Sequence, residues 1–155
     1  MMGYVAIELV HSRTPVCLPP TATVMMAARH MHSHHTSAVL VTETDGTLVG
    51  IFTERDAISR VLAEGKDPIA TTLAEVMTDN PDTVAPEDDT EQVVCRLRAA
   101  QCRHLPIVSD DAKALGMVSL GRLCHEPGTN EPTQAASAPA LVGFAVANDC
   151  SAELR

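Results

Sequence analysis

Aromatic side chains are nearly absent from this chain: Tyr4, Phe52 and Phe144 are the only ones in 155 residues, and there is no Trp. Stacking single-stranded bases or caging a quaternary ammonium takes aromatic faces, so both functions are excluded. The core has to be built from Val, Leu, Ile, Ala and Met. A hydrophobic content of 45% is enough for that and too high for a disordered chain.

Positive charge is scarce as well. Lys and Arg number 11 against 20 Asp and Glu, which leaves a formal charge of −9. With no basic run to gather on a phosphate backbone, generic nucleic-acid binding is excluded. Small anions are not, because one pocket with a few cations holds a phosphate even in an acidic protein. Cys17, Cys95, Cys102, Cys124 and Cys150 are odd in number and form no CxxC, which fits reduced thiols in a cytoplasmic protein. No apolar run approaches the ~18 residues of a membrane span, and the N-terminal MMGYVAIELVHSR lacks a signal-peptide pattern, so no membrane partner is expected. Walker loops, nucleophile elbows and HExxH motifs are missing too, and the chain is not expected to be an enzyme.

What is present is an internal repeat. TPVCLPPTATVMMAARHM (14–31) lies above PDTVAPEDDTEQVVCRLRA (81–99), and SAVLVTETDGTLVGIFTERD (37–56) above LPIVSDDAKALGMVSLGR (105–122). In each copy a short apolar stretch reaches a Pro, a cap follows, then a segment with apolar spacing of three and four, then two apolar runs joined by a polar turn. The offset between the copies lies between 66 and 68 residues. Two half-sized units therefore fill most of a chain that is long enough for one ordinary domain.

Each unit reads β-α-β-β-α. In the first, Val16–Leu18 is a short strand, and Thr23 caps a helix to about Met31 with Val24, Ala27, Ala28 and Met31 inward. Ala38–Val41 and Leu48–Phe52 form a hairpin around Thr44-Asp45-Gly46, and Thr53 caps a helix that Gly65 stops near Glu64. In the second, Asp82–Ala85 is a strand and Thr90–Gln101 a helix with Val93, Val94 and Leu97 inward. Ile107–Ser109 and Leu115–Val118 pair, and a last helix starts over Leu120 to His125. Thr72–Met77 is a short linking helix. Residues 9–66 are thus the first repeat, 67–77 the link, 78–125 the second repeat, and 126–155 a Pro-, Ala- and Ser-rich tail whose apolar patch at 140–147 docks as an extra strand or stays loosely held.

GIFTERD (50–56), EVMTDNPDTVAPEDD (75–89) and RHLPIV (103–108) at these spacings make the chain resemble the tandem CBS domain, named after cystathionine β-synthase, whose paired form is the Bateman module. The resemblance covers about three quarters of the chain. It implies an α/β (α+β) fold of two β-α-β-β-α repeats packed about a pseudo-two-fold axis. It also implies a regulatory cleft between them for an adenosine-containing ligand (AMP, ADP, ATP, S-adenosylmethionine or NAD), a homodimer, and a regulated partner protein that the chain does not name.

The resemblance places Thr53 and Asp56 at the ribose. A carboxylate at a helix start accepts from both ribose hydroxyls, and a hydroxyl three residues earlier donates to ribose or phosphate. The same pair also reads as an ordinary N-cap with a first-turn acid. Pro81, Asp82 and Thr83 would supply the base edge, with Ile51 and Val84 against the ring. Arg103 and His104, with His35 as their match in the first copy, would meet the phosphate, although Arg103 also reads as a solvated cation at a helix end.

The second copy departs from this pattern. Ser119 stands in for Thr53 but Arg122 for Asp56, and a guanidinium cannot accept from a ribose diol. One competent nucleoside site and one degenerate site are therefore expected, the latter edged by Thr14, Pro15 and Val16 and empty, differently filled or used for phosphate. Two rival functions remain. His30 and His34, with His32 and His35 near, share a helix end that is either pH-sensitive or metal-binding. Alternatively, the module only dimerises. Cys95 and Cys102 read as small buried hydrophobes.

Overall fold

The computed structural model describes Ala6 and residues 14–120. The elements run β1 (Cys17–Leu18), α1 (Val24–His34), β2 (Ala38–Thr42), β3 (Leu48–Thr53), α2 (Glu54–Asp56), a π-helical stretch (Ala57–Leu62), α3 (Leu73–Val76), β4 (Thr78–Asp79), α4 (Thr90–Ala99), β5 (His104–Val108) and β6 (Ala114–Ser119). The last helix, the tail patch, Arg122, Cys124 and Cys150 lie outside the described residues.

Two sheets form. One has four strands in the order β1-β2-β3-β4, and the other is the β5-β6 hairpin. β2 is buried along its whole length. Val39 and Val41 join Phe52, Val24, Ala27, Met31, Val61 and Leu73 in the first repeat's core. The alternate residues Ala38 and Leu40, with Ile51, face the other way and pack with Ala114 and Met117 of the second hairpin. A strand buried on both faces reads as an unbroken apolar run, and this one does. The second repeat's own core gathers Val84, Val93, Leu97, Leu105, Ile107 and Val118, joined by Ala6.

The repeat offset is 66 residues wherever the backbone tests it. Thr47 bridges Lys113 in antiparallel fashion, and these two residues are 66 apart. The bond from Leu48 N to Ala112 O (2.9 Å) has its mirror in that from Ala114 N to Gly46 O (3.1 Å). Two equivalent residues paired antiparallel, with reciprocal bonds on either side, mark a local two-fold axis. Other features recur at the same spacing: Leu18 beside Val41 and Val84 beside Ile107, bulges at Val41/Thr42 and Ile107/Val108, and left-handed His35 and Gln101 ending α1 and α4.

Several expectations need correcting. Asp82–Ala85 is no strand: Val84 makes a single parallel bridge to Ile107. The flanking backbone is taken by side chains, with Arg96 Nη1 donating to Thr83 O (2.8 Å) and Ala85 N donating to Asp88 Oδ2 (2.9 Å). The strand that does form there, polar β4, pairs with β3 and carries no apolar alternation to announce it. α1 runs on through His34 and ends at His35. The helix after Thr53 widens into a π-helix after one turn and buries only Val61. Ala28 and Cys95 are exposed and Val94 is half-buried.

Candidate ligand clefts

A cleft of about 730 Å³ opens where the two repeats meet. Thr14, Pro15, Val16 and Cys17 line one wall, leading into β1. His30, Ser33, His34, His35, Thr36 and Ser37 come from the end of α1 and the turn after it; His104, Met117 and Ser119 come from the β5-β6 hairpin. Pairing places the walls. Leu40 N donates to Val16 O (2.9 Å), which fixes the entry to β1 against β2, and His104 lies opposite Ser119 in the hairpin register.

His104 ties the repeats together through a 2.9 Å hydrogen bond between its Nε2 and Ser37 Oγ. Burial, and then the neighbouring Arg103 charge, hold its pKa below the ordinary 6.5, so the ring is neutral at neutral pH. On α1, the His30 and His34 rings stack with centroids 5.7 Å apart. His34 Nδ1 lies 3.0 Å from His30 O; a carbonyl only accepts, so Nδ1 carries the proton. The αL cap at His35 uses a residue type that tolerates that region, and it turns the chain toward β2. Burial pushes the Cys17 thiol up, with a Thr42 hydrogen bond opposing. The described lining contains no carboxylate and no Lys or Arg.

Apart from His35 and His104, the residues expected at the competent site lie elsewhere. Thr53 and Asp56 form a reciprocal capping box: Thr53 N and Oγ1 both donate to Asp56 Oδ2 (2.9 and 2.8 Å), and Asp56 N donates to Thr53 Oγ1 (3.3 Å). Asp56 Oδ1 faces Arg60 Nε at 3.5 Å. The cap reading is therefore physically present, and it also locks the carboxylate in place. Arg103 is exposed, and its carbonyl accepts from Leu120 N at 2.9 Å. Ile51 and Val84 are 6% and 1% exposed, each inside a hydrophobic cluster.

The 66-residue correspondence sorts the rest. Shifted by that interval, Pro15–Cys17 fall on Pro81–Thr83, Ser37 on Arg103, Met117 on Ile51 and Ser119 on Thr53. A counterpart cleft would thus carry Thr53, Ile51, Pro81, Asp82, Thr83 and Arg103 together. His104 corresponds to Ala38 and His35 to Gln101, so the matching of His35 with Arg103 and His104 is corrected. Both histidines line the cleft that holds Thr14, Pro15, Val16 and Ser119, whose lining includes neither Thr53 nor Asp56.

Sequence reasoning missed Ser33, Thr36, Ser37, Cys17, Met117 and Arg96. A strict 66-residue shift would have found Ser37 from Arg103 and Arg96 from His30. Among the described residues no group of three His, Cys, Asp or Glu could hold a metal ion. Nor, among them, is any helix long and apolar enough to cross a membrane.

The CBS domain family profile matches residues 6–63 and 73–127. Bacillus subtilis YlbB is 35% identical over 106 residues, covering 68% of this chain and 70% of its own. The Arabidopsis thaliana CBS domain-containing protein CBSCBSPB3 is 29% identical over 109 residues, 70% of this chain, but the match spans only 19% of that longer protein. Among solved structures, the CBS domain protein PAE2072 from Pyrobaculum aerophilum, complexed with AMP, superimposes with a TM-score of 0.73 at 27% identity, over 79% of this chain and 92% of that one.

Proposed function

The chain belongs to the CBS domain family, and on that premise we propose that it is a regulatory module that binds an adenosine-containing ligand between its repeats and signals rather than catalyses. The observation that carries this reading is the pseudo-two-fold pairing at Thr47 and Lys113. It makes each inter-repeat cleft from parts of both copies, so a ligand seated in one reports on how the copies sit. The AMP complex of PAE2072 supports the ligand class.

Within this reading the repeats span 9–66 and 78–125, joined by 67–77, and the nucleoside sits on the Thr53 side. Asp56 Oδ2 already accepts twice. A carboxylate offers about four acceptor positions, so room remains for a ribose hydroxyl. The backbone of Pro81–Thr83 reads the base, Arg103 meets the phosphate, and two chains pair to present a surface to the regulated protein.

AMP titrated calorimetrically into wild type, Asp56→Ala and Arg103→Ala tests this. Asp56→Ala is expected to lose binding, and Arg103→Ala to weaken it roughly tenfold, as for a lost charge-assisted bond. Arg103 is exposed, so its variant reads ligand contact without a folding defect. Wild-type affinity in both variants overturns the assignment.

A further inference from the structure

The lining of the cleft beside β1 is chemically unlike the Asp56 side. It brings four imidazoles, His30, His34, His35 and His104, together with the hydroxyls of Thr14, Ser33, Thr36, Ser37 and Ser119. A chain with 20 acidic residues puts none of them in the described lining of this cleft. The groups facing its interior are His30, His34 and His35 from α1, the Cys17 thiol from β1, and His104 from β5 with Arg103 as its neighbour. In the sequence, the residue 66 positions after Asp56 is Arg122 and not an acid.

We propose that this histidine-lined cleft is a proton-coupled oxyanion site, which takes a phosphoryl-type group, free or carried on a nucleotide, and protonates its imidazoles as it does so. Hydroxyls and neutral imidazoles alone bind a dianion weakly. Once protonated, each ring becomes a cationic double donor. His104 is neutral before an anion arrives, because burial holds its pKa below the ordinary 6.5, so an incoming anion can draw a proton onto it. His34 and His35 end α1, where the helix dipole accommodates positive charge. The site needs no ribose, so it stands whatever occupies the Asp56 side.

The test follows the histidine ring protons of the full-length protein by NMR between pH 8 and 6, without ligand and with sodium sulfate, AMP or adenosine. Sulfate does not titrate in this range, so any proton taken up belongs to the protein. Sulfate is expected to raise the His104 midpoint and to bind more tightly as pH falls, by up to about tenfold per pH unit for each proton coupled. AMP doing the same identifies a nucleotide phosphate as a source; sulfate acting without AMP identifies a free oxyanion. Both results support the site. Midpoints that neither anion moves overturn it, and so do equal shifts with adenosine, which carries no phosphate. A His35→Asn/His104→Gln chain should lose most of the pH slope for sulfate, and a slope that persists also overturns it. If that chain does not fold, the wild-type midpoints decide.

Discussion

Lys113 Nζ reaches across the repeat axis to Asp45 Oδ2 at 2.7 Å and to Thr47 Oγ1 at 3.0 Å, and Thr47 is its own counterpart in the other copy. Asp45 also accepts from Thr47 N and Oγ1. Two hairpin turns are thereby clasped at the point where the pseudo-two-fold passes. The Lys113 bond and the Thr47 bonds hold the Asp45 carboxyl well below its ordinary 3.8.

Acid should release that clasp. Asp45 has a depressed pKa when folded, so its contribution is present above 3.8 and is lost as pH falls below it. The pair is solvent-exposed and screened, so the effect at neutral pH is small. In low salt Lys113→Met is expected to melt slightly below wild type at pH 7, and the gap is expected to close as pH falls below 3.8 and the wild type loses its clasp. A gap that stays the same as pH falls would rule the clasp out.

Gly50 is needed for its missing side chain. A Cβ there would meet Met77 Sδ at 2.5 Å and Thr78 O at 3.0 Å, where β4 closes on β3. Met77 can swing aside; the Thr78 backbone cannot without breaking the pairing. Gly50→Ala should cost about 1–3 kcal/mol and Gly50→Val more, as overpacking does. Denaturant titration checks this, and an unchanged midpoint for Gly50→Ala refutes the close approach.

The repeat, both hairpins and the helix starts were legible because apolar periodicity and caps are local signals. Thr23 and Thr53 cap as their spacing implies. β4 was not legible, since Thr78 and Asp79 owe their pairing to the bare surface of Gly50 rather than to their own side chains. The failed strand around Val84 was hidden for the converse reason: Arg96 and Asp88 claim its neighbours' backbone from a distance in sequence. At the site, the residue types were readable and their grouping was not. His35 and His104, expected beside Arg103, line the cleft that holds Ser119 instead, because an offset known only to within two residues cannot tell Ala38 from Ser37 as a partner of His104.

Phe52 tests how much the first repeat depends on its one large buried ring. It is fully buried, among Val39, Val41, Val61 and Leu73. Phe52→Ala should cost about 3–5 kcal/mol, and Phe52→Leu markedly less. A loss under about 1 kcal/mol for the Ala variant would mean that the cluster collapses around the gap.

His104 predicts an acid-sensitive interface. Its pKa is lowered in the folded chain, so both states are neutral above 6.5 and nothing is lost there. Below that value the unfolded chain takes a proton that the folded one resists. Stability therefore falls as pH drops through 6.5, and the loss levels off once the folded imidazole protonates too. His104→Gln, which keeps a donor for Ser37, should flatten the melting-temperature profile between pH 7 and 5. An undiminished slope would assign the acid sensitivity to other groups.

The two clefts should also differ in what they count. Thr53 has Ser119 at the matching position, and both carry a hydroxyl; Asp56 has Arg122, which accepts nothing. Adenosine offers a ribose diol and a base but no phosphate, so only the Asp56 side can hold it well. Calorimetric titration with adenosine is expected to saturate near one per chain, and Asp56→Ala should remove that step while leaving sulfate binding at the histidine cleft. Asp56 also caps a helix, so this variant should lose about 1 kcal/mol of stability and must be titrated below its melting transition. Two adenosines of equal affinity per chain would show that the missing carboxylate does not matter, and the asymmetry between the repeats would fall with it.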